Sequence, residues 1–332
     1  MTEPQPLTFG DIEDATVPLA VLVHGFPDTP HTWRHLGPDL VAHGYRVVAP
    51  WLPGYDAPTN EPISVGTYVR SVLDVRGTYR ADDRAVLIGH DWGAVASYGV
   101  VNSDPAAFGR LVTLAAPPAG VLEAMFSYRQ LKRSFYIWVI QQAGLAEKVL
   151  LEPGFWESLW GDWSPGYDPH DDVDELRRYV TADNIADVIA PYRASFNPAF
   201  ADRETTAEAL ATLQDPPVPT LYLHGADDGA LGIDIFGDPA QHLPAAGSEC
   251  ESSMAQGISY TWNNRNGSPP RSSAGWPVSR QRGGAVAVVS CRGPRRGAVQ
   301  RGTGVDFPPQ SCSGTRRYEP MPRPRYRCLR RE

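Results

Sequence analysis

The 332-residue chain lacks several features that would place it in particular protein classes. No cysteine precedes Cys250 and the four cysteines form no C-x-x-C pair, so a zinc site built on closely spaced cysteines is excluded. No run of 18 apolar residues occurs, and no basic segment followed by a long apolar run stands near Met1. We therefore expect a cytoplasmic protein with no membrane partner, no metal and no cofactor.

The composition of the chain changes near residue 249, because some residue types are missing on one side of it. Residues 250–332 contain no lysine and no histidine, and their 15 arginines against four acidic residues give a net charge of +11. Residues 1–249 hold all eight histidines and carry a net charge of −19. Two compositions are joined at this point, and residues 250–332 are predicted to be an aberrant, disordered tail.

The part before residue 249 alternates short apolar runs with segments of helical periodicity. The runs "PLAVLVH", "YRVVAP", "RAVLIGH", "RLVTLAAPP" and "PTLYLHG" are bounded by turn residues, which is typical of buried parallel strands. The segments "HTWRHLGPDLVAHG" and "YVRSVLDVRGTY" between them place apolar residues at helical spacing. This alternation predicts an α/β fold with a mostly parallel, doubly wound sheet.

The pattern changes between about residues 120 and 205 to helical segments rich in aromatic residues. Because this stretch lies between two blocks of strands, we predict a helical lid over the carboxyl edge of the sheet, where ligands bind in open α/β folds. The predicted organisation is a core in two parts, residues 1–119 and 206–249, with the lid over 120–205 and the tail over 250–332.

The stretch "GHDWGA", residues 89–94, has the pattern small-x-nucleophile-x-small between a strand and a helix. Its central residue is Asp91, at the helix amino terminus. A carboxylate attacks strained or activated carbon, such as an epoxide or a carbon bearing halide, and forms an ester that a general base and water hydrolyse. The alternative is an ordinary glycine-rich turn with a solvated aspartate at the helix N-cap.

A second motif, "HGFPDTPHTW", follows the first strong strand and resembles the oxyanion loop of the α/β-hydrolase superfamily. The resemblance implies that the backbone N–H groups of Phe26 and Trp92 bind developing negative charge. His24 is interpreted as a residue that shapes this turn. The two motifs together, in this order, predict the α/β-hydrolase fold.

With "RSFYIWVIQQAGLAE", "APYRASF" and "LYLHGADDG" following in order, residues 1–249 resemble the epoxide hydrolase branch of that superfamily. Haloalkane dehalogenases share the aspartate nucleophile but usually place asparagine where this chain has Phe26. Fluoroacetate dehalogenases typically follow the nucleophile with arginine, where this chain has Trp92. Both departures favour an epoxide hydrolase-like enzyme.

The resemblance also implies roles for three more residues. Tyr136 and Tyr192 are the candidates for the lid tyrosines that hydrogen-bond the epoxide oxygen; the alternative is that both only pack in an aromatic-rich lid. Asp228 is the candidate for the acid that orients the base, with Asp227 as the alternative. The expected substrates are a small, hydrophobic, epoxide-like molecule and water, and the oligomeric state is left open, including a homo-oligomer.

The catalytic histidine that the resemblance implies is missing. The family places it after one more strand, in a stretch similar to "VVDGAGHFLHLEQP", yet no histidine follows His242. His242 itself precedes the expected final strand, so we do not expect it to substitute. The chain as written is therefore predicted to be impaired, with the last strand and helix of the fold lost.

A shift of reading frame accounts for this loss. If each codon is read from its third base, Met254 followed by Ala255 must encode glycine, and Trp262 followed by Asn263 must encode glutamate. With permitted third bases, the stretch from Cys250 onward reads "RVVDGAGHFLHLEQPERVAAEILGWL", with a histidine across the junction of residues 257 and 258. We infer a one-base insertion or deletion near codons 245–250.

Three alternatives stay open at this stage. The chain could be a haloalkane dehalogenase-like hydrolase, a non-catalytic ligand-binding protein on a hydrolase scaffold, or a protein whose basic tail binds nucleic acid or an anionic surface. We expect no nucleic-acid partner, since the tail has no lysine, no interleaved aromatic residues and no nucleic-acid-binding motif.

Overall fold

A mostly parallel β-sheet organises the part of the chain that the computed structural model describes, residues 4–122 and 125–253. Its strands are β1 Leu7–Phe9, β2 Leu19–Val23, β3 Arg46–Ala49, β4 Val86–His90, β5 Arg110–Leu114, β6 Thr220–Gly225 and β7 Glu249–Ser253. The spatial order is β1-β3-β2-β4-β5-β6-β7, and only β1 runs antiparallel to its neighbour. The predicted α/β fold with a mostly parallel sheet is confirmed.

The sheet is covered on both faces, which explains the uniformly apolar strands. Alternate residues of β2 face opposite sides, so that Leu19, Val21 and Val23 enter one core cluster while Ala20 and Leu22 enter another. Every side chain of β2 is fully buried. Parallel strands buried in this way read as continuous apolar runs, as the sequence does.

Helices connect the strands and fill the long insertion between β5 and β6. The first three are α1 Leu36–Ala42, α2 Val65–Thr78 and α3 Trp92–Ser103. The insertion holds α4 Tyr128–Arg133, α5 Phe135–Ile140, α6 Ala146–Leu150, α7 Phe155–Trp163, α8 His170–Tyr179, α9 Ile185–Val188, α10 Ala190–Phe196 and α11 Thr206–Ala211. The predicted helical insertion is therefore present. Its bounds as a separate lid remain a prediction.

The last strand corrects the sequence-based expectation. We predicted that it is lost, but Glu249–Ser253 forms β7 and pairs in parallel with β6, from Leu221 opposite Glu249 to Gly225 opposite Ser253. Strands pair through backbone N–H and C=O groups, which the sequence "ECESS" supplies as well as an apolar one does. Residues 250–253, predicted as part of the disordered tail, thus belong to β7; the rest of that tail and the predicted loss of the final helix lie outside the described residues.

Within residues 4–122 and 125–253, no helix combines the length and the apolar character needed to cross a bilayer.

Two glycines of α2 provide a test of how closely this helix packs. A Cβ on Gly66 would lie 2.2 Å from the carbonyl oxygen of Thr205, next to α11, whereas a Cβ on Gly77 would have no atom within 4 Å. We expect Gly66→Ala to lower the free energy of unfolding by about 2 kcal/mol through overpacking. The matched control Gly77→Ala should raise it by about 0.5 kcal/mol through helix propensity. Urea unfolding measures both, and equal effects would contradict the packing argument.

Candidate active site

Asp91 stands at the sharp turn from β4 into α3. Its backbone adopts φ 50° and ψ −120°, a conformation that costs a non-glycine residue about 1–3 kcal/mol. The turn is tight enough to require glycine on both sides. A Cβ on Gly89 would lie 2.4 Å from the carbonyl oxygen of Gly93, and one on Gly93 would lie 2.2 Å from that of Val23. The surrounding structure thus forces the Asp91 carboxylate out at the carboxyl edge of the sheet.

The loop after β2 meets this carboxylate. The backbone N–H of Phe26 donates a hydrogen bond of 2.8 Å to Asp91 Oδ1, and the N–H of Trp92 also contributes a hydrogen bond to the carboxylate. A Cβ on Gly25 would lie 2.4 Å from the Cβ of Asp91, so only glycine permits this approach. The structure therefore brings together the aspartate and the two N–H groups that the sequence analysis singled out.

Burial raises the pKa of Asp91 to about 6, while the hydrogen bonds from Phe26 and Trp92 act in the opposite direction. The carboxyl group is thus ionised at neutral pH but poorly solvated. A carboxylate in this state is more reactive than one in bulk water, because fewer water molecules must leave before it attacks.

The two tyrosines proposed from the sequence lie over this site. Tyr136 on α5 and Tyr192 on α10 are buried, with ring centroids 5.8 Å apart and ring planes at 85°, and their hydroxyl groups are hydrogen-bonded to each other. Both rings pack against Phe26, at 6.2 and 5.0 Å, and Tyr192 also contacts Trp92 at 4.9 Å. Burial raises the pKa of each hydroxyl, and the charge of Asp91 adds to this, so both remain neutral donors.

Two more aromatic rings pack on the residues around Asp91. Trp156 packs edge-on against Phe26 with centroids 5.8 Å apart, and Trp163 packs against Tyr136 at 4.9 Å. Both tryptophans are buried on α7. The polar atoms around Asp91 therefore stand in an apolar, aromatic environment, which strengthens each electrostatic interaction made there.

Asp228 follows β6 and is buried, whereas its neighbour Asp227 is exposed. Asp228 Oδ1 accepts hydrogen bonds from the backbone N–H groups of Ala230 and Leu231, at 2.8 and 2.9 Å. Its Oδ2 has no hydrogen-bond partner among residues 4–122 and 125–253. Burial raises the pKa of Asp228 to about 7, and the charge of Asp91 acts in the same direction. The structure thus brings Asp228 near Asp91 and leaves Asp227 outside.

His224 lies on β6, four residues before Asp228, and was not predicted as a site residue from the sequence. Its Nε2 lies 2.8 Å from the carbonyl oxygen of Leu231 and 3.4 Å from Asp228 Oδ2, and its Nδ1 lies 2.7 Å from the hydroxyl of Tyr222. A carbonyl only accepts, so Nε2 carries the proton and Nδ1 accepts from the hydroxyl. Burial lowers the pKa of His224 to about 4. Both ring nitrogens are engaged in this arrangement, so His224 connects β6 to the Asp228 loop.

The other two histidines considered from the sequence have different surroundings. His24 Nε2 accepts from the N–H of Leu52 at 3.2 Å, and its Nδ1 lies 3.0 Å from the carbonyl oxygen of Gly25, so the ring joins two loops beside the site. His242 Nδ1 lies 3.0 Å from Asp215 Oδ1. That contact is with neither Asp91 nor Asp228.

No group of three or more histidine, cysteine, aspartate or glutamate side chains is arranged to hold a metal ion within the described part of the chain. The arrangement that is present consists of a carboxylate facing two N–H groups, two neutral hydroxyls above it, and a second buried carboxylate. Such a set can attack an electrophilic carbon, donate a proton to a leaving oxygen and stabilise an oxyanion.

Comparison with known proteins identifies the family of this chain. The sequence model of the alpha/beta hydrolase family matches residues 20–262. The AB hydrolase superfamily protein YfhM of Bacillus subtilis is 32% identical over 141 residues, which cover 41% of this chain and 49% of YfhM. An epoxide hydrolase of Caballeronia sordidicola is 27% identical over 256 residues, covering 68% of this chain and 76% of the relative.

Among solved structures, a Bacillus megaterium epoxide hydrolase in complex with an inhibitor superposes with a TM-score of 0.60 at 18% identity. The superposition covers 77% of this chain and 90% of that one, and at this identity it shows a shared fold. The match to YfhM spans only about half of that relative's length.

The chain belongs to the alpha/beta hydrolase family, since the family model covers more than half of it. Within that family its sequence is similar to that of an epoxide hydrolase, in agreement with the resemblance that the motifs carry.

Replacing Asp91 with asparagine is expected to remove a pH-dependent loss of stability. A carboxyl group whose pKa is raised on folding, here from 3.8 to about 6, binds more protons in the folded than in the unfolded chain, so its contribution to stability falls as pH rises through that window. We expect D91N to be more stable than the parent by about 1 kcal/mol at pH 7.5, since partial solvent access reduces the full effect.

At pH 4 the two proteins should be about equally stable, because Asp91 is then protonated and neutral in the folded chain. Urea unfolding at the two pH values measures the difference. A gain in stability that is the same at both would contradict the assignment of the raised pKa to Asp91.

Proposed function

We propose that this chain carries the site of an epoxide hydrolase in which Asp91 is the nucleophile. An Asp91 oxygen attacks an epoxide carbon, the carbon–oxygen bond of the ring breaks, and its electron pair moves to the ring oxygen. Tyr136 or Tyr192 donates a proton to that oxygen, giving an alkyl-enzyme ester with a neighbouring hydroxyl group. The observation that carries the proposal is that Tyr136 and Tyr192 are buried, neutral and close enough to Asp91 for its charge to raise the pKa of both hydroxyls, while both rings pack on Phe26, whose N–H binds Asp91.

The second half of the reaction needs water and a base. Water adds to the ester carbonyl, and the N–H groups of Phe26 and Trp92 are placed to stabilise the oxyanion that forms on the Asp91 side chain. A base must take the proton of that water, and Asp228 would orient the base and stabilise its charge. Asp228 Oδ2 supports this role, since a buried carboxylate oxygen is normally hydrogen-bonded, yet among the described residues this one accepts no hydrogen bond and has only the contact of 3.4 Å with His224 Nε2.

We further propose that this chain stops after the first half of the reaction. No histidine follows His242, and the described histidine nearest to Asp228, His224, has both nitrogens engaged. The expected substrate is a small hydrophobic epoxide, because aromatic rings pack on Phe26 and Trp92, the residues whose N–H groups bind Asp91.

The register of β7 supports the frame-shift hypothesis. Ser253 pairs with Gly225, three residues before Asp228. In the shifted frame, residues 250–253 become Arg-Val-Val-Asp and a histidine follows four residues later. Since carboxyl ends of parallel strands meet at one edge of a sheet, such a histidine would enter the loop beside Asp228. Two valines would also suit a strand better than the present sequence does.

Incubation with styrene oxide tests the first half of the reaction. We expect one molecule to add to each chain, on the peptide that contains Asp91, because the ester forms but no base hydrolyses it. Intact-mass spectrometry and peptide mapping measure this.

D91N should form no adduct, and Tyr192→Phe should react about 10-fold to 100-fold more slowly through loss of a proton donor. The matched control Asp227→Asn, next to Asp228 but exposed, should react like the parent. Many turnovers without a stable adduct would contradict the proposed arrest.

Restoring the frame tests the second half. A gene corrected near codons 245–250 should encode a chain that releases diol from the same epoxide over many turnovers, and Asp228→Asn in that chain should lower the rate by about 100-fold or more. Sequencing of the source DNA across codons 240–280 checks the origin of the shift. In-frame codons with normal upstream context, or a corrected chain without turnover, would refute the hypothesis.

A further inference from the structure

The loop that carries Asp228 is attached to the helical insertion through backbone groups. The N–H of Gly229 donates a hydrogen bond of 3.0 Å to the carbonyl oxygen of Trp163, the last residue of α7. A Cβ on Gly229 would lie 1.9 Å from the carbonyl oxygen of Asp162, so only glycine fits there. The position of this loop, residues 226–232, therefore depends on α7 as well as on β6. We call it the acid loop.

A second attachment is made by one side chain, Gln130 on α4, which is fully buried. Its Nε2 donates to the carbonyl oxygen of Ala230 at 2.5 Å and to Ser134 Oγ at 2.6 Å. Its Oε1 accepts from the N–H of Gly232 at 3.3 Å. The amide thus binds the acid loop on both sides of Leu231 and uses both of its ends to do so.

These contacts fix the same peptide groups that orient Asp228. Ala230 donates its N–H to Asp228 Oδ1, and its carbonyl oxygen accepts a hydrogen bond from Gln130. Leu231 also donates its N–H to Asp228 Oδ1, and its carbonyl oxygen accepts a hydrogen bond from His224. Oδ1 is held by the loop, which turns Oδ2 away from these donors. The direction in which Oδ2 points is therefore set by Gln130 and His224 through the loop.

The same segment of the insertion positions a tyrosine of the site. Ser134, which accepts from Gln130, separates α4 from α5, and Tyr136 lies two residues further on. The ring of Tyr136 packs on Trp163, whose carbonyl oxygen holds Gly229. One closed set of contacts thus links Tyr136, Gln130 and the Asp228 loop.

We propose that Gln130 is a positioning residue that fixes Asp228 relative to Tyr136, so that one short segment aligns the proton donor of the first half-reaction with the acid of the second. The catalytic meaning of this role rests on the function proposed above. An apolar side chain of the same length would fill the space equally well, and burying an amide is unfavourable unless it is hydrogen-bonded. The three hydrogen bonds of its amide therefore indicate that Gln130 positions the acid loop and does not merely fill space in the core.

The test compares Gln130→Met with Gln141→Met in the full chain. Methionine preserves length and keeps water out but removes all three hydrogen bonds. Gln141 is a matched control, since its amide also binds backbone carbonyls, those of Ile137 and Tyr192, but not the acid loop. The readouts are hydrogen exchange of the Ala230, Leu231 and Gly232 amides and the pKa of Asp228, measured by carbon-13 NMR of its carboxyl group.

We expect Q130M to speed exchange of these three amides by about tenfold while exchange in β4 and α3 stays unchanged. The pKa of Asp228 should rise further, because backbone donors that lower it are loosened. In the parent, burial has the largest influence on that pKa, followed by the Leu231 and Ala230 donors and by the charges of Asp91 and Arg133. The variant keeps all of these groups and loosens only the two backbone donors. Q141M should leave both readouts unchanged.

Ser134→Ala is the milder second variant if Q130M does not fold. It removes one partner of Gln130 and should shift both readouts in the same direction by a smaller amount. Unchanged exchange at residues 230–232 together with an unchanged pKa of Asp228, in whichever variant folds, would overturn the proposal. Neither readout uses an epoxide, so failure of Asp91 to react would refute the proposed function without affecting this result.

Discussion

The site depends on the close approach of two loops at the carboxyl edge of neighbouring strands. β2 and β4 pair directly, so Gly25 and Asp91 leave the sheet side by side, and the hydrogen bond from Phe26 to Asp91 joins them. The absence of a side chain on Gly25 makes this possible, because a Cβ there would overlap Asp91. The aromatic rings that cover the site then pack on Phe26, whose position that hydrogen bond fixes.

Burial and hydrogen bonding act against each other at both carboxylates. Asp91 and Asp228 have pKa values raised by desolvation and lowered by backbone N–H groups, and the charge of Asp91 raises the pKa of Asp228 further. A site with two poorly solvated carboxylates is costly to fold, which the covering aromatic residues and the hydrogen bonds of the acid loop offset. The loop contacts of His224 and Gln130 therefore serve stability as well as orientation.

Sequence reasoning was most successful where the determinants are local. The turn at Asp91 and the loop at Phe26 are short motifs that each follow a strand, and their resemblance to α/β-hydrolase motifs was enough to predict that they meet. Gln130 could not, because its partners Ala230 and Gly232 are about a hundred residues away and no periodicity records such a contact. The final strand was wrongly expected to be lost because that expectation considered only side chains. The edge of β6 offers backbone N–H and C=O groups, and a strand of almost any sequence can pair with them.

The two larger core clusters are complete before the composition of the chain changes. Among residues 4–122 and 125–253, every buried member of these two clusters lies at or before Ala230, and only the small cluster of Tyr222, Leu243 and Cys250 reaches beyond. During synthesis, the part of the chain that provides most of the burial therefore leaves the ribosome first and can commit to its architecture. A change in the sequence after that point would therefore abolish catalysis without unfolding the core. Cellular quality control that recognises exposed apolar surface would then have little to detect in the hydrolase core.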